Sequence, residues 1–294
     1  MNGAEAILRL GRFHFLPGGF LVYAIGLAIS SRAGFVPEAV PASLALAGVL
    51  SAQLMTHFVN EYFDYEGDML SDRTAFSGGS GVLASGIVPR RRALQLGASC
   101  LVFGLASALA LASMGRTWFL LAYAPLLFIG WFYSSPPLRF VSTGLGETFA
   151  SLAVAYLAPV SAALSQAFLP LQKSIVLLPL SVCMHAMMLG VEAPDRPSDE
   201  LSGKRNLVVR LGMRRTARAY LLIFFTSLAA QLSLVLAGSL GPPSLAAFAL
   251  SPAAIAVSKW MGEGEPLRGK VASMVAFVSV SIFFGFALST LAGA

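Results

Sequence analysis

Asn60-Glu61-Tyr62-Phe63-Asp64-Tyr65-Glu66-Gly67-Asp68 stands at the end of an apolar run that starts near residue 40. A run of that length crosses a bilayer as a helix, so these polar residues fall where hydrocarbon gives way to water. Asn60, Asp64 and Asp68 are four residues apart and stack on one face of a helix. A second stretch of the same character, Glu192-Ala193-Pro194-Asp195-Arg196-Pro197-Ser198-Asp199, closes another apolar run far along the chain. Asp195 and Asp199 repeat the four-residue step. Carboxylates at a membrane boundary are expensive, and the usual reason to keep them is a cation or a polar substrate. Mg²⁺ takes one or two carboxylates together with waters and substrate phosphates. Two such ions between two acidic clusters would grip a diphosphate from both sides, and the amide of Asn60 adds a ligand without adding repulsion.

The rest of the chain fits a membrane setting. It is 56% hydrophobic and 12% charged, where a soluble domain carries about a quarter charged residues. Apolar runs long enough to span fall at about 14–30, 40–62, 94–114, 117–133, 146–165, 171–190, 219–238, 243–260 and 271–292. These predict an all-α integral membrane protein, one domain over residues 1–294, with nine transmembrane helices. Alternate assignment of the loops puts 17 of the 20 basic residues on one side and leaves only Arg32, Arg116 and Lys173 on the other. The positive-inside rule then sets a cytoplasmic N-terminus and an external C-terminus. Three cytoplasmic loops, about 63–93, 134–145 and 191–218, carry most of the polar sequence, and the two acidic clusters open the first and third. The net charge of +6 is explained by these anchors and calls for no nucleic acid. Cys100 and Cys183 lie in apolar runs far apart, which argues against a disulfide framework or a cysteine-based metal site.

Each candidate has a bland alternative. Acids at a helix end are often only solvated, and Glu66 and Asp72 suit that description. Lys204 and Arg205, just past the second cluster, can neutralise phosphate oxygens or serve as positive-inside anchors. Tyr133-Ser134-Ser135-Pro136-Pro137-Leu138-Arg139 stops the fourth span at its prolines, and Arg139 is placed to reach back toward the same pocket. Glu147 lies near the start of the fifth span. A carboxylate so close to hydrocarbon is a functional candidate, although an acid in a first helical turn also has an electrostatic reason to be there. His57 lies about one turn before Asn60, and a lone helical histidine is more often structural. Ser77-Gly78-Gly79-Ser80-Gly81 can offer backbone N–H groups to phosphate or serve as a plain loop.

With these residues in view, the chain resembles the UbiA superfamily of intramembrane aromatic prenyltransferases. That family carries N-x-x-x-D-x-x-x-D after its second span and D-x-x-x-D after its sixth, matched here by Asn60/Asp64/Asp68 and by Asp195/Asp199. The likeness extends through Gly203-Lys204-Arg205, the Tyr133 to Arg139 segment, and Arg12 ahead of the first span. Asn60 to Tyr65, Val82-Leu83-Ala84-Ser85-Gly86, and Pro136-Pro137-Leu138-Arg139 through Glu147 look like the 1,4-dihydroxy-2-naphthoate polyprenyltransferase branch of menaquinone synthesis. One departure is Glu192, where that branch often has Asn.

The resemblance implies a helical bundle around a central cavity open to the cytoplasm, with a lateral route for lipid. It implies Mg²⁺, two ions through the diphosphate, held by Asn60, Asp64, Asp68, Asp195 and Asp199. The partners it implies are a prenyl diphosphate (geranylgeranyl or longer), an aromatic acceptor, and the bilayer. Arg12, Arg73, Arg139 and Lys204 are then candidates for diphosphate contacts, with Tyr133 and Glu147 on the substrate side. Other acceptors of the superfamily are 4-hydroxybenzoate, homogentisate and glyceryl ether phosphates. A transporter is the rival from another class, but it keeps its acids near the bilayer midplane on broken helices, whereas these cluster at one interface beside basic residues.

Overall fold

The computed structural model describes residues 2–71, 73, 78–263 and 268–291, so Asp72 and Ser77, both named above, lie outside the described residues. Every regular element among the described residues is helical. In chain order they are α1 (Gly3–Leu10), α2 (Leu16–Arg32), α3 (Ala39–Phe63), α4 (Tyr65–Asp68), α5 (Arg90–Ser113), α6 (Phe119–Phe132), α7 (Gly146–Leu152) and α8 (Ala158–Leu164). There follow α9 (Leu171–Ser174), α10 (Leu178–Glu192), α11 (Arg196–Leu201), α12 (Leu207–Leu211), α13 (Met213–Leu236), α14 (Ser251–Glu263) and α15 (Arg268–Leu291).

Eight helices among the described residues are long and apolar enough to cross a membrane, where nine spans are expected from the sequence. The shortfall is the fourth run, about 117–133, which folds as α6 with only 14 residues, about 21 Å at 1.5 Å per residue. Turns trim it on both sides: Gly115 with φ +81° ahead of it, and Ser134 to Pro137 behind it. Its flanks nonetheless reach opposite ends of the bundle. Arg116 pairs with Glu38, just before α3 begins, and with the carbonyl of Gln166, just past α8. Ser134 donates to Asp64 at the far end of α3, at 3.0 Å.

Two further spans are irregular for reasons written in their prolines. Between α7 and α8 the chain takes a π turn over Ala153–Leu157. Pro159 cannot donate to the carbonyl one turn back and crowds it, and a π turn relieves that conflict. The run near 243–260 opens as a 3₁₀ segment, Pro242–Leu250, before α14 starts with Pro252 in its first turn.

Small residues let the helices close on one another, as packing within a membrane requires. At Gly26 of α2 an added Cβ would lie 2.1 Å from the carbonyl oxygen of Pro159, so α2 and α8 cross backbone to backbone there. Tyr123 of α6 is fully buried and donates its hydroxyl to Gly48 of α3 at 2.8 Å. Large apolar side chains such as Val102, Leu109, Leu121 and Leu222 point outward and stay exposed, which is the surface expected to face hydrocarbon.

Candidate active site

The first acidic motif keeps its register although α3 stops inside it. Asp64 caps α3, yet its N–H donates to Asn60 O at 2.8 Å, and Asp68 N donates to Asp64 O at 2.9 Å. That unbroken four-residue ladder leaves Asn60, Asp64 and Asp68 on one face, as the spacing predicts. The second motif is bent by its prolines. Asp195 ends a 3₁₀ turn, Ala193–Asp195, and Asp199 follows within α11.

Lys204 joins the two motifs. Its Nζ lies 3.6 Å from Asp64 Oδ2 and 3.2 Å from Asp199 Oδ1, and its side chain is only 11% exposed. Burial alone would lower its pKa, but Asp64 and Asp199 together outweigh that and raise it. Lys204 is therefore a fixed positive charge between the two acid clusters. Asp199 is further held by Asn206, whose Nδ2 donates to it at 2.7 Å while its Oδ1 caps α12 through Val209 N. Asp68 is pushed up to about 7, chiefly by burial and then by the neighbouring charge of Asp64.

The glycine-rich loop folds over this cradle. Gly78 N and Ser71 Oγ donate to Asp195 at 3.0 and 2.9 Å, and Ser80 donates from N and Oγ to Glu61. The loop's N–H groups thus meet carboxylates, where the sequence suggested phosphate. Gly79, at φ +72°, passes so close that an added Cβ would lie 2.3 Å from Asp68 Oδ2. Arg73 lies beside Gly81 and lines a small cleft with Glu61 and Asp68.

Other expected residues fall into place less directly. Arg12, in the left-handed region at φ 49°, gives two hydrogen bonds to Glu61 Oε1 at 2.9 and 2.7 Å. It lies in the field of Asp64 and Asp68 but is already committed to Glu61. Arg139 does not reach back: it is exposed, and among the described residues it pairs with none of the acids. Its backbone is left-handed (φ 41°), just past Pro136-Pro137. His57 has the structural role, its Nδ1 hydrogen-bonded to Gly11 O at 2.9 Å. Glu66 is a surface acid paired with Arg90.

Glu147 is fully buried and accepts the N–H of Leu207 through Oε1. Glu192 lies against Glu147 and receives the hydroxyl of Tyr133 at 3.3 Å. Sequence reasoning missed Glu61 and Glu192 as parts of the site. Each had the same available signal, a carboxylate within an apolar run. Ser134 and Asn206 gave no such signal.

The donor set suits a divalent cation. Asn60 Oδ1 and Asp64 Oδ1 are buried oxygens without a hydrogen-bond partner, an arrangement that normally calls for one. Among the described residues no three carboxylate, imidazole or thiol groups form a closed metal cage. Mg²⁺ does not need one, because it completes its shell with water and phosphate oxygens.

The chain matches the UbiA prenyltransferase family over residues 20–280. The 1,4-dihydroxy-2-naphthoate octaprenyltransferase of Bacillus subtilis (strain 168) is 21% identical over 287 residues, 97% of this chain and 91% of that protein. A UbiA homolog from Archaeoglobus fulgidus, solved bound to GPP and Mg²⁺, has a TM-score of 0.64 at 19% identity and covers 98% of this chain and 99% of its own. A digeranylgeranylglyceryl phosphate synthase structure has a TM-score of 0.69 at 14% identity, covering 99% of this chain and 100% of its own. The two solved structures establish a shared fold, and the family match extends across both acidic motifs. The chain belongs to the UbiA prenyltransferase family and is a membrane-embedded prenyltransferase.

Proposed function

We propose that this protein transfers a polyprenyl group from an allylic prenyl diphosphate to a hydroxylated aromatic acceptor, 1,4-dihydroxy-2-naphthoate or a similar quinone precursor. The observation that carries the reading is the convergence at Lys204. Two acidic motifs more than a hundred residues apart meet around one buried cation, beside oxygens that lack partners. The naphthoate relative supports the acceptor class, and the Archaeoglobus structure supports a prenyl diphosphate with Mg²⁺.

Asn60, Asp64, Asp68, Asp195 and Asp199 would hold two Mg²⁺ ions, which supply the charge that stabilises a departing diphosphate. The chain's own residues do the rest. Lys204 and Arg73 bind diphosphate oxygens, and Arg12 fixes Glu61 at the rim. Apolar and aromatic side chains from the spans keep water from the allylic cation, and ring faces stabilise its charge. Tyr133 orients the acceptor from the end of α6.

In this reading α6 is a crossing helix. Its flanking contacts at opposite ends support nine spans around the cavity, and the bias of basic residues supports a cytoplasmic N-terminus and acidic site with an external C-terminus. Purified protein should be incubated with Mg²⁺, geranylgeranyl diphosphate and a panel of 1,4-dihydroxy-2-naphthoate, 4-hydroxybenzoate, homogentisate and geranylgeranylglyceryl phosphate. A prenylated product that requires both Mg²⁺ and Asp64, with Asp64→Ala as the control, is expected from the naphthoate. A product from the glyceryl phosphate alone would refute the aromatic acceptor.

A further inference from the structure

A second polar feature lies at the other end of the bundle. α2 begins just past Arg12, beside the acidic site, and ends at Arg32, about 24 Å further on at 1.5 Å per residue. There a cleft of about 220 Å³ opens between the ends of four segments. Ile29 and Arg32 line it from α2, Lys173 and Val176 from the chain leading into α10, Ser239 from the turn after α13, and Thr290 from α15. A single water needs about 10–15 Å³, so the cleft has room for a whole polar group. No acid lines it. Arg32 and Lys173 are two of the three basic residues that the loop assignment leaves at this end, and the third, Arg116, is held by Glu38. Among the described residues no carboxylate pairs with Arg32 or Lys173. The Arg32 guanidinium reaches only Ser289 O, at 3.5 Å.

Local structure explains Arg32 but not Lys173. A cation in the last turn of α2 complements the negative end of that helix. Lys173 instead lies in the first turn of the span Gln172–Leu201, where the aligned peptides leave about half a positive charge and disfavour a cation. Basic residues at this end also run against the positive-inside bias. A bound anion offsets both. We propose that the cleft binds the phosphate group of an anionic membrane phospholipid, with Arg32 and Lys173 on the phosphate oxygens and the Ser239 hydroxyl as a further donor. Basic pockets between membrane spans suit such headgroups, and charge-assisted hydrogen bonds are the strong ones. The rim favours a lipid over free phosphate. Ile29 and Val176 line the cleft, and Ile175 and Leu291, next in the chain to lining residues, are exposed apolar side chains. Acyl chains continue from the headgroup along that surface. Because α2 packs against α15, the headgroup clasps the first long span to the last.

The test is thermal unfolding of delipidated protein in detergent, with phosphatidylglycerol, phosphatidylcholine of the same acyl chains, or inorganic phosphate added. Phosphatidylglycerol at about a hundredfold excess over half-saturation should raise Tm by about 5–10 °C. Phosphatidylcholine and inorganic phosphate at the same concentration should not. Lys173→Gln should raise the half-saturating concentration of phosphatidylglycerol about tenfold, the loss of one hydrogen bond to a charged group. The Lys173 side chain is exposed and pairs with no described acid, so this variant should fold, and an unchanged Tm without lipid checks that it does. Arg214→Gln removes an exposed cation at the start of α13, away from the cleft, and should leave the half-saturating concentration within about twofold. Equal behaviour of Lys173→Gln and Arg214→Gln would overturn the site, since the lipid would then act on the basic loops alone. Equal protection by inorganic phosphate would overturn the lipid as the source of the phosphate group. Equal protection by phosphatidylcholine would overturn the selection for an anion.

Discussion

Replacing Lys204 by Met tests whether the cradle is built for cations. The side chain keeps most of its length and loses its charge. At an effective dielectric of about 20, Coulomb's law gives about 5 kcal/mol for each of the contacts at 3.2 and 3.6 Å. Desolvation of three buried groups offsets much of that sum. Removing one partner of a buried pair usually costs about 3–5 kcal/mol, because the remaining charge is left unpaired. Metal-free Lys204→Met protein should therefore unfold on the order of 5–10 °C below unaltered protein, as Asp64 and Asp199 confront each other without a cation. Added Mg²⁺ should restore most of that loss, so the Mg²⁺-induced shift in Tm should be larger in the variant. Turnover should still fall, since diphosphate loses a partner that Mg²⁺ does not replace. The assay is thermal unfolding in detergent with EDTA or with millimolar Mg²⁺. Equal Mg²⁺-induced shifts in the two proteins would refute the idea that Lys204 holds a cation's place between the motifs.

Other perturbations follow from the same geometry. Arg12→Ala should destabilise the protein by about 3 kcal/mol, because it strands the nearly buried Glu61. Arg12→Lys should recover only part of this, as a single ammonium does not reproduce the two guanidinium hydrogen bonds, and denaturant titration checks both. Gly79→Ala should leave the helical fold intact by circular dichroism yet lower turnover at least about tenfold, since its Cβ collides with Asp68 and its φ is left-handed; unchanged kinetics would show that the loop is not part of the site. Gly26→Val should abolish folded protein on size-exclusion chromatography, because α2 and α8 touch through backbone there.

Much of this arrangement can be taken from the chain itself, for physical reasons that also mark where such reading stops. The four-residue step of Asn60, Asp64 and Asp68 survives the end of α3 because the hydrogen-bond ladder continues through Asp64. The prolines around Asp195 announce the 3₁₀ turn that holds it. Spacing along a helix is local, and the sequence states it openly. The bridge from Lys204 to Asp64 is not local, since nothing in either segment encodes that they meet. Glu61 is hidden for a different reason: it neighbours Asn60 in sequence but points to another face, where it receives Arg12 and Ser80. Helix length also eludes hydropathy. The apolar run at 117–133 looks like its neighbours, yet turns at both ends leave only 14 residues of α6. Arg139 shows the converse, a basic residue with suitable neighbours that stays exposed.

The ends of α3, α6 and α10 all come to rest at the acidic cradle, through Asn60 and Asp64, Ser134, and Glu192 with Asp195. All three present C-termini, where the aligned peptide dipoles leave about half a negative charge each. Those three ends add negative charge beside the carboxylates of the cradle. A free diphosphate approaching these ends and carboxylates meets like charge that bound cations would offset. The expected consequence is an order of arrival: cations bind first or come in already attached to the diphosphate.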